Sequence, residues 1–149
     1  MTVMTRPESI DAAIVDAEDQ LSLLFGRVRS VYKDAAAQIH PDLKPVGYKI
    51  LSVIVRTGEI NAGALAESLD TDKSVVSRQV RMLEDAGLVS SRPDEKDGRA
   101  RVLTATPHAV ERVRSVRLQQ RNHLRDLLRS RPEDDVRAFA SMLRLINEA

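Results

Sequence analysis

Residues 72–89, DKSVVSRQVRMLEDAGLV, predict one amphipathic helix with a defined end. Val76, Val80 and Leu83 recur at the spacing of a single helix face, so we expect these side chains to point into the core. The helix is predicted over 73–86, because the Gly that follows suits a left-handed residue after the last turn. Such a helix buries its apolar face and leaves its polar face free to contact another molecule.

A second, shorter helix precedes it, separated by a tight polar turn. Asn61 can cap a helix over 62–69, and the turn 70–72 offers Thr71 or Asp72 as the cap of the next helix. Two helices joined in this way predict a helix-turn-helix unit, which places its second helix in a DNA groove.

Two short extended segments follow this unit directly. Residues 89–92 and 101–104 predict two β-strands, and the turn-forming residues 93–98 predict a long charged tip between them. A β-hairpin directly after the second helix indicates a winged helix-turn-helix. A lone β-branched residue, Ile60, predicts one further short strand before the cap of the first helix.

The outer face of the 73–86 helix carries side chains suited to DNA recognition. Ser donates or accepts a hydrogen bond, Arg pairs with guanine through two hydrogen bonds, and Val contacts a thymine methyl group. A cation nearer the rim of the groove suits a phosphate. The predicted DNA-contacting residues of this helix are Lys73, Ser74, Val75, Ser77, Arg78 and Arg81. The alternative is a solvated face on which Arg81 and Asp85 pair across one helical turn.

Long helices are predicted on both sides of the winged unit. The apolar spacing over 10–39 predicts a helix of about 45 Å, too long for a domain of this size to cover. Further helices are predicted to begin at Pro45, Pro107 and Pro132. The predicted inner faces of the last two helices are Val110, Val113, Leu124, Leu127, Leu128, Val136, Phe139, Ala140, Leu143 and Ile146. A partner chain is the natural cover for these helices.

Charge is unevenly distributed, although the formal net charge of the 149 residues is only +1. Residues 1–22 hold one Arg against five carboxylates, whereas residues 108–131 hold seven Arg against two carboxylates. These segments are expected to attract each other within or between chains, which favours a dimer. Exposed ion pairs contribute only ~0–1 kcal/mol each, so we expect them to set register while apolar burial drives association.

Composition excludes several classes of protein. The absence of Cys excludes disulfides, thiol-based sensing and Cys-ligated zinc. No apolar segment approaches the ~20 residues of a membrane span, and the first residues lack the pattern of a signal peptide, so the expected compartment is the cytoplasm. Aromatic residues make up only 3% of the chain, which fits helix-on-helix packing better than a β-sandwich.

The 72–89 helix and the hairpin together resemble the multiple-antibiotic-resistance regulator (MarR) family of winged helix-turn-helix transcription factors. The wing signature of that family is Asp-x-Arg followed by Leu-Thr, which stands here as Asp97-Gly98-Arg99 and Leu103-Thr104. The resemblance implies a homodimer with a helical dimerisation region, 10–40 and 107–149, and a winged DNA-binding domain, 45–105.

The same resemblance implies how the wing contacts DNA. The two winged domains would occupy successive major grooves about 34 Å apart on a pseudopalindromic operator. Arg99 would enter the minor groove, with Asp97 holding its backbone and guanidinium in place. A simple turn role for Asp97 beside Gly98 is compatible with this. Gly98 replaces a second Arg that the family often has, and Arg101 and Lys96 would compensate for the lost charge.

The resemblance also implies a small-molecule effector, often an aromatic acid or a phenol. The end of the first helix and the start of the second must lie together, so their aromatic residues are candidates for lining a pocket. The candidate ligand-binding residues are Phe25, Tyr32, His40 and Tyr48. Core packing is the alternative for each of them. Arg29 or Lys33 would suit a carboxylate if it faced the pocket.

Catalysis and metal binding are not predicted. His40, His108 and His123 lie far apart in sequence and lack the spacing of a zinc or catalytic motif, so surface or cap roles are expected for them. A zinc site built from His40, His108 and a carboxylate is the weaker alternative. No cofactor is expected.

The sequence therefore predicts a mainly α-helical protein of about six helices with a β-hairpin wing. The predicted function is that of a homodimeric, sequence-specific regulator of transcription, in the simplest case a repressor that an effector releases from its operator. The alternative is a winged module for architectural DNA binding or protein docking. A docking surface would expose aromatic residues or Leu rather than the polar face found here.

Overall fold

The computed structural model of the protein describes residues 9–149, so Arg6 and Glu8 of the acidic segment lie outside the described residues. Its elements in chain order are α1 (Ile10–Ile39), α2 (Pro45–Thr57), β1 (Glu59–Asn61), α3 (Ala62–Leu69), α4 (Lys73–Asp85), β2 (Val89–Pro93), β3 (Arg101–Ala105), α5 (Pro107–Arg129) and α6 (Glu133–Glu148). These six helices and the small β-sheet confirm the predicted fold class.

Helix α1 is attached to the rest of the chain only near its carboxyl end. Ser9 caps its first turn by accepting a hydrogen bond from the Ala12 amide at 3.3 Å. Every residue from 9 to 25 is exposed, and the buried residues of the helix are Ala35, Ala36 and Ile39. Most of this 30-residue helix therefore has no core of its own chain to pack on.

Helix α2 is the centre of the core. Proline stands in its first turn, where the missing amide hydrogen costs nothing. Ile50, Leu51 and Ile54 are fully buried and Tyr48 is almost so. The helix ends at Gly58, whose φ of 87° is accessible to glycine at little cost. Helices α1, α4 and α5 all pack on α2, so one core spans the junction between the long helices and the winged lobe.

The helix-turn-helix has the predicted caps with one difference. The Asn61 side chain accepts from the Gly63 and Ala64 amides at 2.7 and 3.3 Å and begins α3. Asp70 ends α3 with a φ of 47°, a left-handed conformation that Asp tolerates better than most residues. Asp72 occupies the cap position of α4, but its side chain makes no capping hydrogen bond. The predicted inner face of α4, Val76, Val80 and Leu83, is buried.

The sheet has three strands in the order β1-β3-β2, with both pairings antiparallel. Leu103 pairs with Ile60 on one side and with Ser91 on the other. Successive residues of a strand point to opposite faces, so Val89, Ser91 and Leu103 share the face that packs towards α4. The β-hairpin is thus connected to the core through its pairing with β1 as well as through the buried residue Val89 at the start of β2.

The last two helices bury less of their apolar surface than the sequence predicts. Thr106 caps α5 by accepting from the Ala109 amide at 3.3 Å, as predicted. The buried residues of α5 are Ala109, Val113 and Val116, whereas Leu124 and Leu127 are exposed. No residue of α6 is buried. Within residues 9–149 no helix is long and apolar enough to cross a membrane.

Candidate nucleic-acid interface

Helix α4 presents a polar face to solvent because its apolar stripe is committed to the core. It packs on α2, α3 and β2 through that stripe. Val75, which the sequence places on the outer face, is half-buried. The exposed side chains on the outer face are Lys73, Ser74, Ser77, Arg78 and Arg81. The helix therefore offers three cations and two hydroxyls on one side.

The start of α4 is suited to an anion. The Asp72 carbonyl accepts the Val75 and Val76 amides at 3.0 and 3.1 Å, which closes the first turn. The Asp72 side chain does not cap the helix, so the Lys73 and Ser74 amides stay available to another acceptor. The positive end of the helix dipole and the neighbouring Lys73 both favour a phosphate at this place.

A groove of about 450 Å³ lies between the start of α4, the start of α3 and the wing. Lys73 and Ser77 line it from α4, and Asp97, Arg99 and Arg101 line it from the wing. The fold therefore brings residues of α4 together with wing residues that lie at least twenty positions further along the sequence. Asn61 and Gly63 at the start of α3 complete the floor of the groove.

A second groove of about 350 Å³ adjoins the first and shares Ala62, Ser77 and Arg101 with it. Arg78 and Arg81 line it from α4, together with Glu84. Ser91 and Leu103 line it from the sheet. The two grooves contain seven of the nine residues predicted to contact DNA, and the other two, Ser74 and Val75, lie on α4 outside both linings.

The wing tip is held by short-range hydrogen bonds. The Asp97 side chain accepts from the Arg99 amide at 3.1 Å, which is the backbone part of the role that the family resemblance implies. The Asp97 carbonyl accepts from the Ala100 amide at 3.0 Å, and Asp94 accepts from the Lys96 amide at 3.0 Å. The ion pairs found within residues 9–149 do not include one between Asp97 and the Arg99 guanidinium.

The cations of α4 are not neutralised along their own helix. The described part of the chain contains three ion pairs, Arg92–Glu59, Arg131–Asp135 and Arg137–Glu133. The alternative in which Arg81 pairs with Asp85 is therefore wrong for this conformation. Arg101 differs from the other predicted contacts, because its guanidinium donates to the Ser91 hydroxyl at 2.8 Å and to the Ser91 carbonyl at 3.2 Å.

Three of the four candidate ligand-binding residues lie around two grooves between α1 and α2. One groove, of about 640 Å³, is lined by Phe25, Val28, Arg29, Tyr32, Pro45, Val46, Lys49 and Thr71. The other, of about 310 Å³, contains Tyr32, Tyr48 and Lys49 and extends to Arg56 and Arg117. The Tyr32 and Tyr48 rings lie 5.5 Å apart in a tilted arrangement.

His40 lies apart from these two grooves. Its Nδ1 accepts from the Asp42 amide at 3.2 Å, so it stabilises the turn after α1. Of the two cations left open by the sequence, Arg29 lines the larger groove. Within residues 9–149 no group of three or more His, Asp or Glu side chains is placed to hold a metal ion.

Two residues of the α4–wing groove were missed by the sequence reasoning. Ser91 and Glu84 are joined by a hydrogen bond in which the Ser91 hydroxyl donates to the Glu84 carboxylate. The available signal was the two-residue period of β2, which places polar Ser91 on the same inward face as Val89. Glu84 gave no signal, because an acid at that position of a helix is ordinarily solvated.

The fold and this surface define a winged helix-turn-helix protein. The model of the MarR family matches residues 43–100, from the end of the loop before α2 through β2 and the wing tip, and it stops before β3. Over these residues the chain is similar to the MarR family. The curated relatives that the chain matches are HTH-type transcriptional regulators.

Individual relatives agree with this assignment. The HTH-type transcriptional regulator YxaD of Bacillus subtilis is 26% identical over 121 residues, which cover 81% of this chain and 85% of YxaD. A solved structure of MarR is 25% identical with a TM-score of 0.68, covering 89% of this chain and 95% of that one. FabT of Streptococcus pneumoniae, solved in complex with DNA, is 14% identical with a TM-score of 0.81, covering 91% and 95%.

Proposed function

We propose that the chain is a homodimeric, sequence-specific regulator that binds double-stranded DNA at a pseudopalindromic operator. The observation that carries this proposal is the convergence of Ser77, Arg78 and Arg99 on the two adjoining grooves between α4 and the wing. Hydroxyls and guanidinium groups read base edges, and an Arg at a wing tip suits a narrow minor groove. The complex of FabT with DNA supports the same use of a similar fold.

Dimerisation is supported by the apolar surface that one chain leaves uncovered. Ile14 and Leu24 on α1, together with Phe139 and Ile146 on α6, are each between 45% and 56% exposed. A monomeric soluble protein rarely exposes large apolar side chains in such number along two helices. A second copy with the same helices covers them by symmetry and sets the separation of the two α4 helices.

The proposed mode of action is repression by occupancy of an operator that overlaps a promoter. Each dimer places one α4 helix in each of two major grooves, and the wings contact the flanking minor grooves. The expected compartment is the cytoplasm, where the DNA is. An architectural module without base readout is the competing function, and it differs in having no preferred sequence.

Regulation by a small molecule is proposed at the larger groove between α1 and α2. This groove combines apolar and aromatic walls with the cations Arg29 and Lys49, which suits an aromatic carboxylate. Thr71 lines the same groove and stands in the turn that begins α4. A ligand that contacts Thr71 in one arrangement of that turn would shift the position of α4 and weaken operator binding.

The experiment for DNA binding selects the preferred site from random duplexes and then measures affinity by fluorescence anisotropy. We expect Arg78→Ala and Arg99→Ala to weaken binding to the selected site by roughly 10-fold to 100-fold, the loss of one good base or groove contact. Arg144→Ala, on the polar side of α6, is the charge-matched control and should bind normally. Equal affinity for selected and scrambled duplexes would establish the architectural function instead.

The effector proposal is tested with benzoate and phenol as paired probes. Benzoate should bind more tightly because its carboxylate meets Arg29 and Lys49, and it should lower operator affinity. Lys49→Met keeps the apolar stem and should remove the preference for benzoate over phenol. Binding of neither probe, or binding without any change in operator affinity, would contradict this part of the proposal.

A further inference from the structure

A chain of polar groups joins the middle of the β2–β3 hairpin to α4. Arg101, at the start of β3, donates to the Ser91 hydroxyl through Nε at 3.3 Å and through Nη2 at 2.8 Å. The same Nη2 donates to the Ser91 carbonyl at 3.2 Å. The Ser91 hydroxyl in turn donates to the Glu84 carboxylate on α4. Three elements, β3, β2 and α4, are therefore linked in series.

The position of Ser91 in the sheet explains why a hydroxyl is needed there. Ser91 pairs with Leu103, which is almost completely buried, so the Ser91 side chain faces α4 rather than solvent. A hydroxyl both donates and accepts, whereas guanidinium only donates and carboxylate only accepts. Ser91 can therefore connect Arg101 to Glu84 through one oxygen atom, which neither an apolar residue nor a second charge would do.

The negative charge of Glu84 is unfavourable in a surface that binds DNA, so we expect this residue to have a structural role. It lines the same groove as Arg78 and Arg81, where an exposed carboxylate would repel a phosphate. Its hydrogen bond with Ser91 gives that charge a partner within the protein. The acid thus holds the middle of β2 against α4 while the neighbouring cations stay available to DNA.

We infer that Ser91 is a positioning residue that fixes the wing relative to α4. Its hydroxyl donates to Glu84 on α4 and accepts from the Arg101 guanidinium on β3. The inference rests on the proposed DNA binding and goes beyond it, because it assigns Arg101 to holding the wing rather than to a phosphate. The Ser91 hydroxyl then adds to the strand pairing and core packing that set the spacing between Arg78 on α4 and Arg99 on the wing. Fixing this spacing before binding reduces the entropy lost when DNA is bound.

The test compares Ser91→Ala with Ser90→Ala, a matched pair on one strand. Ser90 is exposed and faces the opposite side of the sheet. We expect Ser91→Ala to weaken binding to the selected duplex about tenfold, as the loss of hydrogen bonds to charged groups predicts. Ser90→Ala should bind normally, and Ser91→Thr should restore affinity because it keeps the hydroxyl and suits a strand.

The dependence of affinity on salt separates a positioning role from a phosphate contact. Ser91→Ala changes no charge, so the slope of log affinity against log salt should match that of the wild type. Arg101→Lys keeps the charge but loses the planar guanidinium group that donates several hydrogen bonds to Ser91. It should therefore weaken DNA binding with little change in the salt slope. If Arg101 contacted a phosphate instead, Arg101→Lys and Ser91→Ala would both bind almost normally, and Arg101→Ala would reduce the slope by about one.

A second readout uses the free protein and does not depend on DNA. The Nε hydrogen of Arg101 should exchange slowly with solvent in nitrogen-15 NMR spectra of the wild type and rapidly in Ser91→Ala. Rapid exchange in the wild type, or normal DNA affinity of Ser91→Ala, would overturn the inference. A wild type that binds no duplex specifically would instead contradict the proposed function, and the exchange measurement would still decide whether the link exists.

Discussion

Gly47 shows how one residue allows α2 and α4 to approach each other closely. A Cβ atom at this position would lie 2.7 Å from Leu43 Cδ1 and 3.0 Å from Gln79 Oε1. Leu43 is buried and has little room to move away, whereas the end of the half-buried Gln79 side chain can shift at smaller cost. We expect Gly47→Ala to lower the free energy of unfolding by about 1–3 kcal/mol, the usual cost of overpacking. Chemical denaturation at fixed protein concentration measures this change in the free energy of unfolding.

Gly26 provides the matched control for this substitution. It lies in the middle of α1, and a Cβ atom there would meet only Arg29 Nη2 at 3.9 Å. Alanine is a better helix former than glycine, so Gly26→Ala should raise stability by about 0.5–1 kcal/mol. Equal effects of the two substitutions would show that helix propensity, and not the close approach of α2 and α4, governs position 47.

At the scale of elements, local chemistry was sufficient to predict where helices begin and end. Asn61 and Thr106 cap α3 and α5, as their polar side chains before apolar repeats indicate. Gly58 and Gly87, both with positive φ, end the preceding helices. The period of the apolar residues predicted the buried face of α4. These features depend on a few neighbouring residues, which is why one sequence suffices to find them.

Contacts between elements were harder to predict. The sequence placed Arg101 among the DNA contacts, because nothing local shows that its guanidinium turns back to Ser91. The sequence also did not predict that two arginines of α5 donate to backbone carbonyls. Arg112 donates to the Gln38 carbonyl, and Arg117 donates to the Ser52 carbonyl. A long cationic side chain reaches partners that are distant in sequence, so its role depends on the assembled fold. The DNA contacts themselves remain predictions.

The whole molecule is expected to be stable only as an assembly, and α6 is the place to test this. Its exposed apolar residues include Phe139, Leu143 and Ile146, and none of its residues is buried within one chain. Ile146→Glu places a charge in the proposed interface between chains, where an unpaired carboxylate is costly. We expect light scattering to show a dimer for the wild type and a monomer for Ile146→Glu at the same micromolar concentration.

The control for this prediction adds the same charge on the other side of the helix. Ser141 is exposed, and its helical neighbours Arg137 and Arg144 are polar. Ser141→Glu should leave the dimer intact. A wild type that stays monomeric at micromolar concentration would contradict the dimer, and loss of the dimer in both variants would show that charge alone disrupts the protein.

The exposed length of α1 links synthesis of the protein to its regulatory output. A helix that its own chain covers only near one end is expected to complete its folding after two chains meet. Newly made, unpaired chains would then be open to proteolysis, so turnover would be fastest when the protein is scarce. Below the dimer dissociation constant, operator occupancy would rise with the square of the chain concentration. The regulated gene would accordingly respond to a threshold in protein abundance.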